Sequence, residues 1–448
     1  MKVVYDLTVL SYAASTPAAR TGINRVVETV ARGLAAHPEC DLLLYLGAHH
    51  AYWNPGFDAY FHTVTAGDED LRRAPLLHPK YRRARWRLSL RQERLNARIS
   101  DAANLKTHIA RRDWAAAGRE LKLSDRVARR LVSGVDSLME GLQPRETGRL
   151  RSADIFHSPF TSILPQARRA KKARFFLTVY DLIPLLRPDL FEPGPIAAVQ
   201  SALASLRPGD WVLAISQATK DDLCRLTGID PSHVFVTHLA ASPQTFYRCE
   251  DEEQLARVRR KYAIPDGPYL LSLSTLEPRK NIDHVIRNFV RLVEEEKIED
   301  LSLVLVGIKG WKFDAIFDAI SQNSKLRERI IVTGFAPDED LAALYSGAMA
   351  FAYLSIYEGF GLPPLEAMQC GVPVITSDNS SLPEVVGDAG IMLDAHDSDG
   401  LCQTLRDLYN DPARRGAMSE KSLRQAARFS WGRCVDDTVA AYKTALAS

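Results

Sequence analysis

The stretch Tyr269-Leu270-Leu271-Ser272-Leu273, followed by Ser274-Thr275-Leu276-Glu277-Pro278-Arg279-Lys280-Asn281 and then by Ile282–Glu296, decides the fold class. A short apolar run without strict alternation is a strand covered on both faces, as in parallel sheets, and the segment after the loop has helical spacing. Working outward, the same strand-and-helix unit recurs. Downstream lie Leu303–Val306, Ile330–Val332, Ala350–Leu354 and Pro373–Thr376; upstream lie Val3-Val4-Tyr5, Leu42–Leu46, Phe175–Val179 and Trp211–Ile215. Such alternation predicts α/β architecture with parallel sheets, and in a doubly wound sheet ligands bind outside the carboxyl ends of the strands.

A chain of 448 residues, 46% hydrophobic and 25% charged, exceeds what one hydrophobic core supports, so two domains are expected. The turn signals and acidic run of Thr237–Gly267 mark a linker. The expected domains are residues 1–245, interrupted by a basic helical insertion at about 70–150, and residues 268–430. A last amphipathic segment, 431–448, is expected to return to the first domain. The six cysteines form no Cys-x-x-Cys pair, so neither a disulfide framework nor a zinc site is indicated. The sequence opens on a strand pattern rather than a leader, and no stretch reaches ~18 uncharged apolar residues, so a cytoplasmic protein without a membrane span is expected.

Net charge is only +2, but residues 72–151 hold 21 Lys/Arg against 8 Asp/Glu. A basic segment in a balanced chain is either a solvated helical face or a surface that meets phosphates, such as an anionic bilayer or a lipid-diphosphate acceptor. No nucleic-acid motif accompanies it, so nucleic acid is not an expected partner.

The segment Glu358-Gly359-Phe360-Gly361-Leu362-Pro363-Pro364-Leu365-Glu366 carries the chemistry. Its prolines suit the first turn of a helix, and Gly371 suits its end. The helix start points back at a loop with two glycines, which makes an anion site. Glu358 precedes the loop and Glu366 is expected in the first helical turn. A carboxylate accepts from ribose or sugar hydroxyls, although a lone Glu there serves equally to complement the helix dipole. Arg279 and Lys280, at a strand's carboxyl end, place cations where a leaving diphosphate would develop charge. Thr333, Gly334 and Phe335, at another strand end, offer backbone groups to a base edge.

On these residues the chain resembles retaining GT-B glycosyltransferases of family GT4, in particular bacterial mannosyltransferase-like enzymes of O-antigen and capsule synthesis. The Glu358/Glu366 spacing, Glu277-Pro278-Arg279-Lys280-Asn281, Val332-Thr333-Gly334-Phe335 and Ser430-Trp431 fall in family order. The resemblance implies two Rossmann-like domains facing a central cleft. It assigns Glu366 to the nucleotide ribose, Glu358 to the donor sugar, and Lys280 and Arg279 to the diphosphate. Gly359, Phe360, Gly361 and Leu362 would meet phosphates and sugar. In the first half, Thr21-Gly22-Ile23-Asn24-Arg25 resembles the loop facing donor phosphates and acceptor, with Gly22 its glycine. Phe156-His157-Ser158-Pro159 resembles the segment whose histidine lies near the reacting sugar, and Asp181 is an acceptor-side candidate. Two positions depart from the family: Ser274 stands where relatives often carry a basic residue, and Tyr180 where they often carry histidine.

The implied activity is metal-independent transfer of a sugar, GDP-mannose being the favoured donor, to a hydroxyl of a glycan or lipid-linked acceptor. UDP- or dTDP-sugar donors, or a non-catalytic nucleotide-sugar-binding subunit, are the alternatives. A metal-dependent reading would rest on Asp338-Glu339-Asp340 or Asp397-Ser398-Asp399. A dinucleotide-dependent reading would rest on Gly359-Phe360-Gly361, but Pro364 stands where a third glycine belongs.

Overall fold

A computed structural model describes residues 1–10, 22–46, 68–77, 149–165, 167–191, 193–308 and 327–448. The chain divides into two compact units, residues 1–157 with 164–173 and residues 158–163 with 174–448.

In the first unit β1 (Lys2–Asp6) pairs in parallel with β2 (Asp41–Tyr45) and with β4 (Ile155–Ser158), and β3 (Leu76–Leu77) adds to β2. Helix α1 (Ile23–Ala36) buries Val26, Val27, Val30, Ala31 and Leu34, one helical stripe. The order β3-β2-β1-β4 places a topological switch between β1 and β4, so the carboxyl ends of those two strands, Asp6 and His157, flank it.

In the second unit β5 (Arg174–Val179), β6 (Trp211–Ala214) and β7 (Val234–Val236) run parallel, with α2 (Gln217–Thr227) after β6. Helix α3 (Glu252–Lys261) follows; its residues lie inside the stretch expected to be a linker. There Val258 is buried and Lys261 reaches Asp340, so the segment is packed structure. A second sheet comprises β8 (Tyr269–Leu273), β9 (Ser302–Val306), β10 (Ile330–Gly334), β11 (Ala350–Tyr353), β12 (Val374–Ser377) and β13 (Ile391–Leu393), in the order β10-β9-β8-β11-β12-β13. Leu270, Leu271, Leu303, Val304 and Leu305 are fully buried, which explains why these strands read as unbroken apolar runs. Between them lie α4 (Ile282–Glu295), α5 (Asp338–Ser346), α6 (Leu362–Gln369) and α7 (Leu382–Val386); α8 (Ser398–Asn410), α9 (Pro412–Ala426) and α10 (Trp431–Ala447) complete the unit. The core gathers Ile282, Val285, Ile286, Phe289 and Leu292 of α4 against the sheet and α8.

The unit boundary lies upstream of the expected linker because β5–β7 are tied to the second sheet's loops. Ser216 Oγ donates to the Gly359 carbonyl at 2.7 Å, and Glu384 of α7 accepts from the N–H groups of Gln217 and Ala218. At the other end, Tyr442 of α10 meets Phe176 of β5 edge-on at 4.9 Å. None of the helices is long and apolar enough to cross a membrane, among the described residues.

Candidate active site

The second sheet's order, third-second-first-fourth-fifth-sixth in chain sequence, places its topological switch between β8 and β11. The Arg279-Lys280 loop leaves the first of these strands and the Glu358 loop leaves the second. The topology therefore brings together two motifs 78 residues apart.

After β8 the chain makes one tight turn, Pro278–Lys280, ended by Asn281 in the left-handed region (φ 55°), which asparagine tolerates better than most side chains. Asn281 is buried, and its amide donates to the carbonyls of Leu354 at 3.0 Å and Ala395 at 2.7 Å. The turn is thus pinned to the end of β11, and the Ile356 N–H donates to the Arg279 carbonyl at 2.9 Å.

Across the switch Glu358 takes both cations. Lys280 Nζ is 2.6 Å from its Oε1 and Arg279 is 2.8 Å from its Oε2, while Tyr353 Oη donates to Oε1 at 2.9 Å. Arg279 also pairs with Glu277 at 2.7 Å and donates to the Tyr357 carbonyl at 2.9 Å. Burial raises the Glu358 carboxyl, but the charges of Arg279 and Lys280 outweigh it and hold the group at about 2. Burial and Arg279 together lower the Lys280 ammonium, against the pull of Glu358. One donor of this cluster stays unmatched: Arg279 Nε is buried without an acceptor among the described residues.

The loop between Glu358 and α6 is held from outside. Ser380 Oγ accepts from the Glu358 N–H at 3.0 Å, and Ser381 Oγ donates to the carbonyls of Glu358 and Phe360. Gly359 is required by space: a Cβ would lie 2.2 Å from the Tyr180 carbonyl oxygen and 2.8 Å from Asp181 Cβ. Gly361 caps α6 at φ 114°, where an L side chain is strained. Pro363 and Pro364 occupy the second and third helical positions and have no N–H, so the anion-binding capacity rests on the loop and Leu362. No acceptor among the described residues faces the N–H groups of Gly359, Phe360, Gly361 or Leu362.

Glu366 corrects one expectation. Helix α6 begins at Leu362, so Glu366 sits in its second turn and no acidic residue occupies the first. The carboxylate thus lies beyond the first turn, where the helix dipole is felt most. It accepts instead from the hydroxyl of Tyr345 at 3.0 Å. Neither Tyr345 nor Tyr353 is distinguished by its sequence; the only signal is a tyrosine rather than phenylalanine, at the end of the otherwise apolar β11 for Tyr353 and after the apolar Leu341–Leu344 run for Tyr345.

The remaining candidates are placed as follows. Asp181 is half-buried, accepts from the Ile183 N–H at 3.0 Å, and is raised by burial against the field of Arg279. Its neighbour Tyr180 is buried; its backbone, rather than its hydroxyl, abuts Gly359. Thr333 and Gly334 end β10, with Gly334 at φ 71°, and Phe335 beyond them is 49% exposed, as is Ile308 at 52% beyond β9. Thr333, Gly334 and Phe335 lie at the sheet's far edge, with β9 between them and β8.

In the first unit Gly22 caps α1 at φ 59°. His157 is buried edge-on against Tyr5 at 5.0 Å, and burial pushes its imidazole down to about 3, so the ring is neutral. A neutral ring can hydrogen-bond a sugar but brings no positive charge. Asp6, at the other side of the same switch point, carries no signal in the sequence. It is 2% exposed; Oδ1 accepts from the Thr8 N–H and hydroxyl, Oδ2 has no partner among the described residues, and burial outweighs those bonds to raise it to about 6.

Thr21, Lys309-Gly310-Trp311 and nearly all of the basic 72–151 stretch fall outside the described residues. Of the Asp-x-Asp strings, Asp340 is fully buried on Lys261 and Tyr262, and Asp397 caps α8. No cluster of three metal-ligating side chains occurs among the described residues. The Gly359–Gly361 pair follows β11, the fourth strand of its sheet order, whereas a dinucleotide fingerprint belongs to the turn after the first strand.

Residues 256–425 match the family described as glycosyl transferases group 1. The chain is 33% identical over 290 residues to O-antigen chain mannosyltransferase B of Escherichia coli, covering 64% of this chain and 74% of that one. It is 32% identical over 254 residues to the serotype-specific mannosyltransferase WbdA of Escherichia coli, of which the match spans 31% and 56% of this chain. Among solved structures, Anabaena Alr3699/HepE in complex with UDP and glucose superposes with a TM-score of 0.62 at 14% identity, covering 98% of each chain. A glycosyltransferase from Rickettsia africae superposes at 0.61 and 15% identity, over 99% and 98%. Both share the two-sheet α/β architecture. The chain belongs to the group 1 glycosyltransferases and has the GT-B fold.

Proposed function

We propose that this glycosyltransferase moves a sugar from a nucleoside-diphosphate donor, GDP-mannose being favoured, to a hydroxyl of a glycan or lipid-linked acceptor, with retention and without a metal. The observation that carries the reading is the set of unmatched donors at the β8/β11 switch: buried Arg279 Nε and the loop N–H groups from Gly359 to Leu362, beside Lys280. Preorganised donors of this kind stabilise the charge that develops on a leaving diphosphate.

In the proposed reaction the bond from the anomeric carbon to the diphosphate oxygen breaks, and a bond to the acceptor oxygen forms on the same face. The acceptor proton passes to an oxygen of the departing diphosphate, and Arg279, Lys280 and the loop N–H groups hold the product. Glu358 orients both cations and offers its carboxylate to the donor sugar; Glu366 accepts from the ribose; Asp181 and the neutral His157 serve the acceptor side. Names of relatives support mannose as the sugar, among them a GDP-mannose-dependent mannosyltransferase of Mycolicibacterium smegmatis at 29% identity over 277 residues.

A transfer assay with GDP-mannose, UDP-glucose and dTDP-sugars, in the presence and absence of EDTA, tests it. Wild type is expected to turn over GDP-mannose in EDTA, while folded Lys280→Ala and Glu366→Ala lose about 10²-fold or more in kcat/KM. Wild-type rates in either variant would remove the site assignment, a requirement for added metal would remove metal independence, and turnover of a UDP- or dTDP-sugar alone would replace the donor.

A further inference from the structure

Each carboxylate of the Glu358/Glu366 pair holds a buried tyrosine hydroxyl, Tyr353 on Glu358 at 2.9 Å and Tyr345 on Glu366 at 3.0 Å. The two tyrosines flank one ring: Phe351 lies 5.4 Å from Tyr345 edge-on and 5.9 Å from Tyr353, stacked. Tyr353 belongs to the cation cluster, where Lys280 and Arg279 already fix Glu358.

Tyr345 closes α5, is fully buried, and packs against Phe246 as well as Phe351. A ring fixed on two sides has one hydroxyl direction, and that hydroxyl donates to Glu366 Oε2. Burial and the neighbouring Glu366 charge raise the Tyr345 hydroxyl well above its ordinary value, so it is a donor at neutral pH. Glu366 is half-buried, on the second turn of a helix whose start carries the loop N–H groups. A hydrogen bond from a fixed hydroxyl restricts the terminal torsion of a glutamate, and an acceptor ordered before binding keeps affinity for the hydroxyl it reads.

We propose that Tyr345 is a positioning residue that presets the Glu366 carboxylate and thereby sets discrimination for a ribose over a deoxyribose donor. The inference rests on the reading of Glu366 as the ribose acceptor. Tyr345 contributes no contact to the nucleotide; it acts through Glu366.

The test is calorimetric binding of GDP and UDP and of their 2′-deoxy and 3′-deoxy counterparts to wild type, Glu366→Ala and Tyr345→Phe. Wild type is expected to prefer the ribonucleotide by about tenfold or more, and Glu366→Ala to bring the two within about twofold. Tyr345→Phe should lose about three- to tenfold of that preference while its affinity for the deoxynucleotide stays at the wild-type value. Because the readout is a ratio within one variant, a reduced folded fraction cancels. Should Tyr345→Phe not accumulate, Tyr345→Met, similar in bulk and also without the hydroxyl, gives the same ratio. A Tyr345→Phe protein that keeps the full preference, or weakens both nucleotides equally, overturns the positioning role while leaving Glu366 as ribose acceptor. Absence of any preference in wild type, or a preference that survives Glu366→Ala, overturns the ribose reading and this inference with it.

Discussion

Lys280 Nζ and Glu358 Oε1, 78 residues apart in sequence, lie 2.6 Å apart in a cluster where both side chains are about nine-tenths buried. Removing one partner of a buried pair leaves the other charge uncompensated, at a cost of about 3–5 kcal/mol. Glu358→Ala should therefore lower the thermal unfolding temperature, and millimolar inorganic pyrophosphate should raise it more in the variant than in wild type, since the anion replaces the missing charge. Equal responses to pyrophosphate would mean that Arg279 and Lys280 do not form an anion site.

The same pair predicts an acid limb. The folded Glu358 carboxyl is held at about 2, below its ordinary 4.5, so its stabilising contribution is complete above 4.5 and is lost as pH falls from there towards 2. Chemical denaturation of wild type and Glu358→Gln between pH 6 and 3 checks this: wild type should lose stability more steeply below pH 4.5 than the variant.

Gly359→Ala is expected to be more damaging than Gly22→Ala. At Gly359 the new Cβ meets the Tyr180 carbonyl at 2.2 Å, and backbone must move; at Gly22 nothing lies within 4 Å and the cost is the positive φ alone. Roughly 1–3 kcal/mol is expected for the first from overpacking and about 1 kcal/mol for the second. Denaturation midpoints of the two variants decide the order.

The run after Tyr269–Leu273 and the Glu358–Gly361 loop were legible because strand periodicity and turn residues are local, and the doubly wound order places their ends together. The start of α6 was displaced because Pro363 and Pro364 suit any first-turn position, and only the backbone at Gly361 fixes which one. Helix α3 was read as linker because its ten residues are mostly charged, and Val258 alone carries its buried face. Tyr345 was invisible because its partner lies 21 residues on, across a strand, where no spacing rule reaches. Asp6 carries no signal in the sequence, since an unpaired buried oxygen is a property of the packed state.

Asp6 gives the opposite pH sign. Its folded pKa, about 6 against an ordinary 3.8, means that the folded state holds the proton more tightly. Stability from this group is greatest below 3.8 and is lost as pH rises through 6. Asp6→Asn keeps an acceptor for the Thr8 N–H and removes the charge, so it should be more stable than wild type at pH 8, by at most about 3 kcal/mol, and close to it at pH 4. An Asn variant less stable at pH 8 would mean that the Asp6 carboxylate is compensated in the folded protein.

The central claim, that a donor diphosphate sits between the ends of β8 and β11, is tested most directly by hydrogen–deuterium exchange with saturating GDP or UDP. The account predicts slowed exchange within residues 275–281 and 356–362, above all at the amides of Gly359, Phe360, Gly361 and Leu362, which have no acceptor among the described residues, and loss of that protection in Lys280→Ala. A nucleotide that binds while leaving both segments at their free exchange rates would contradict it.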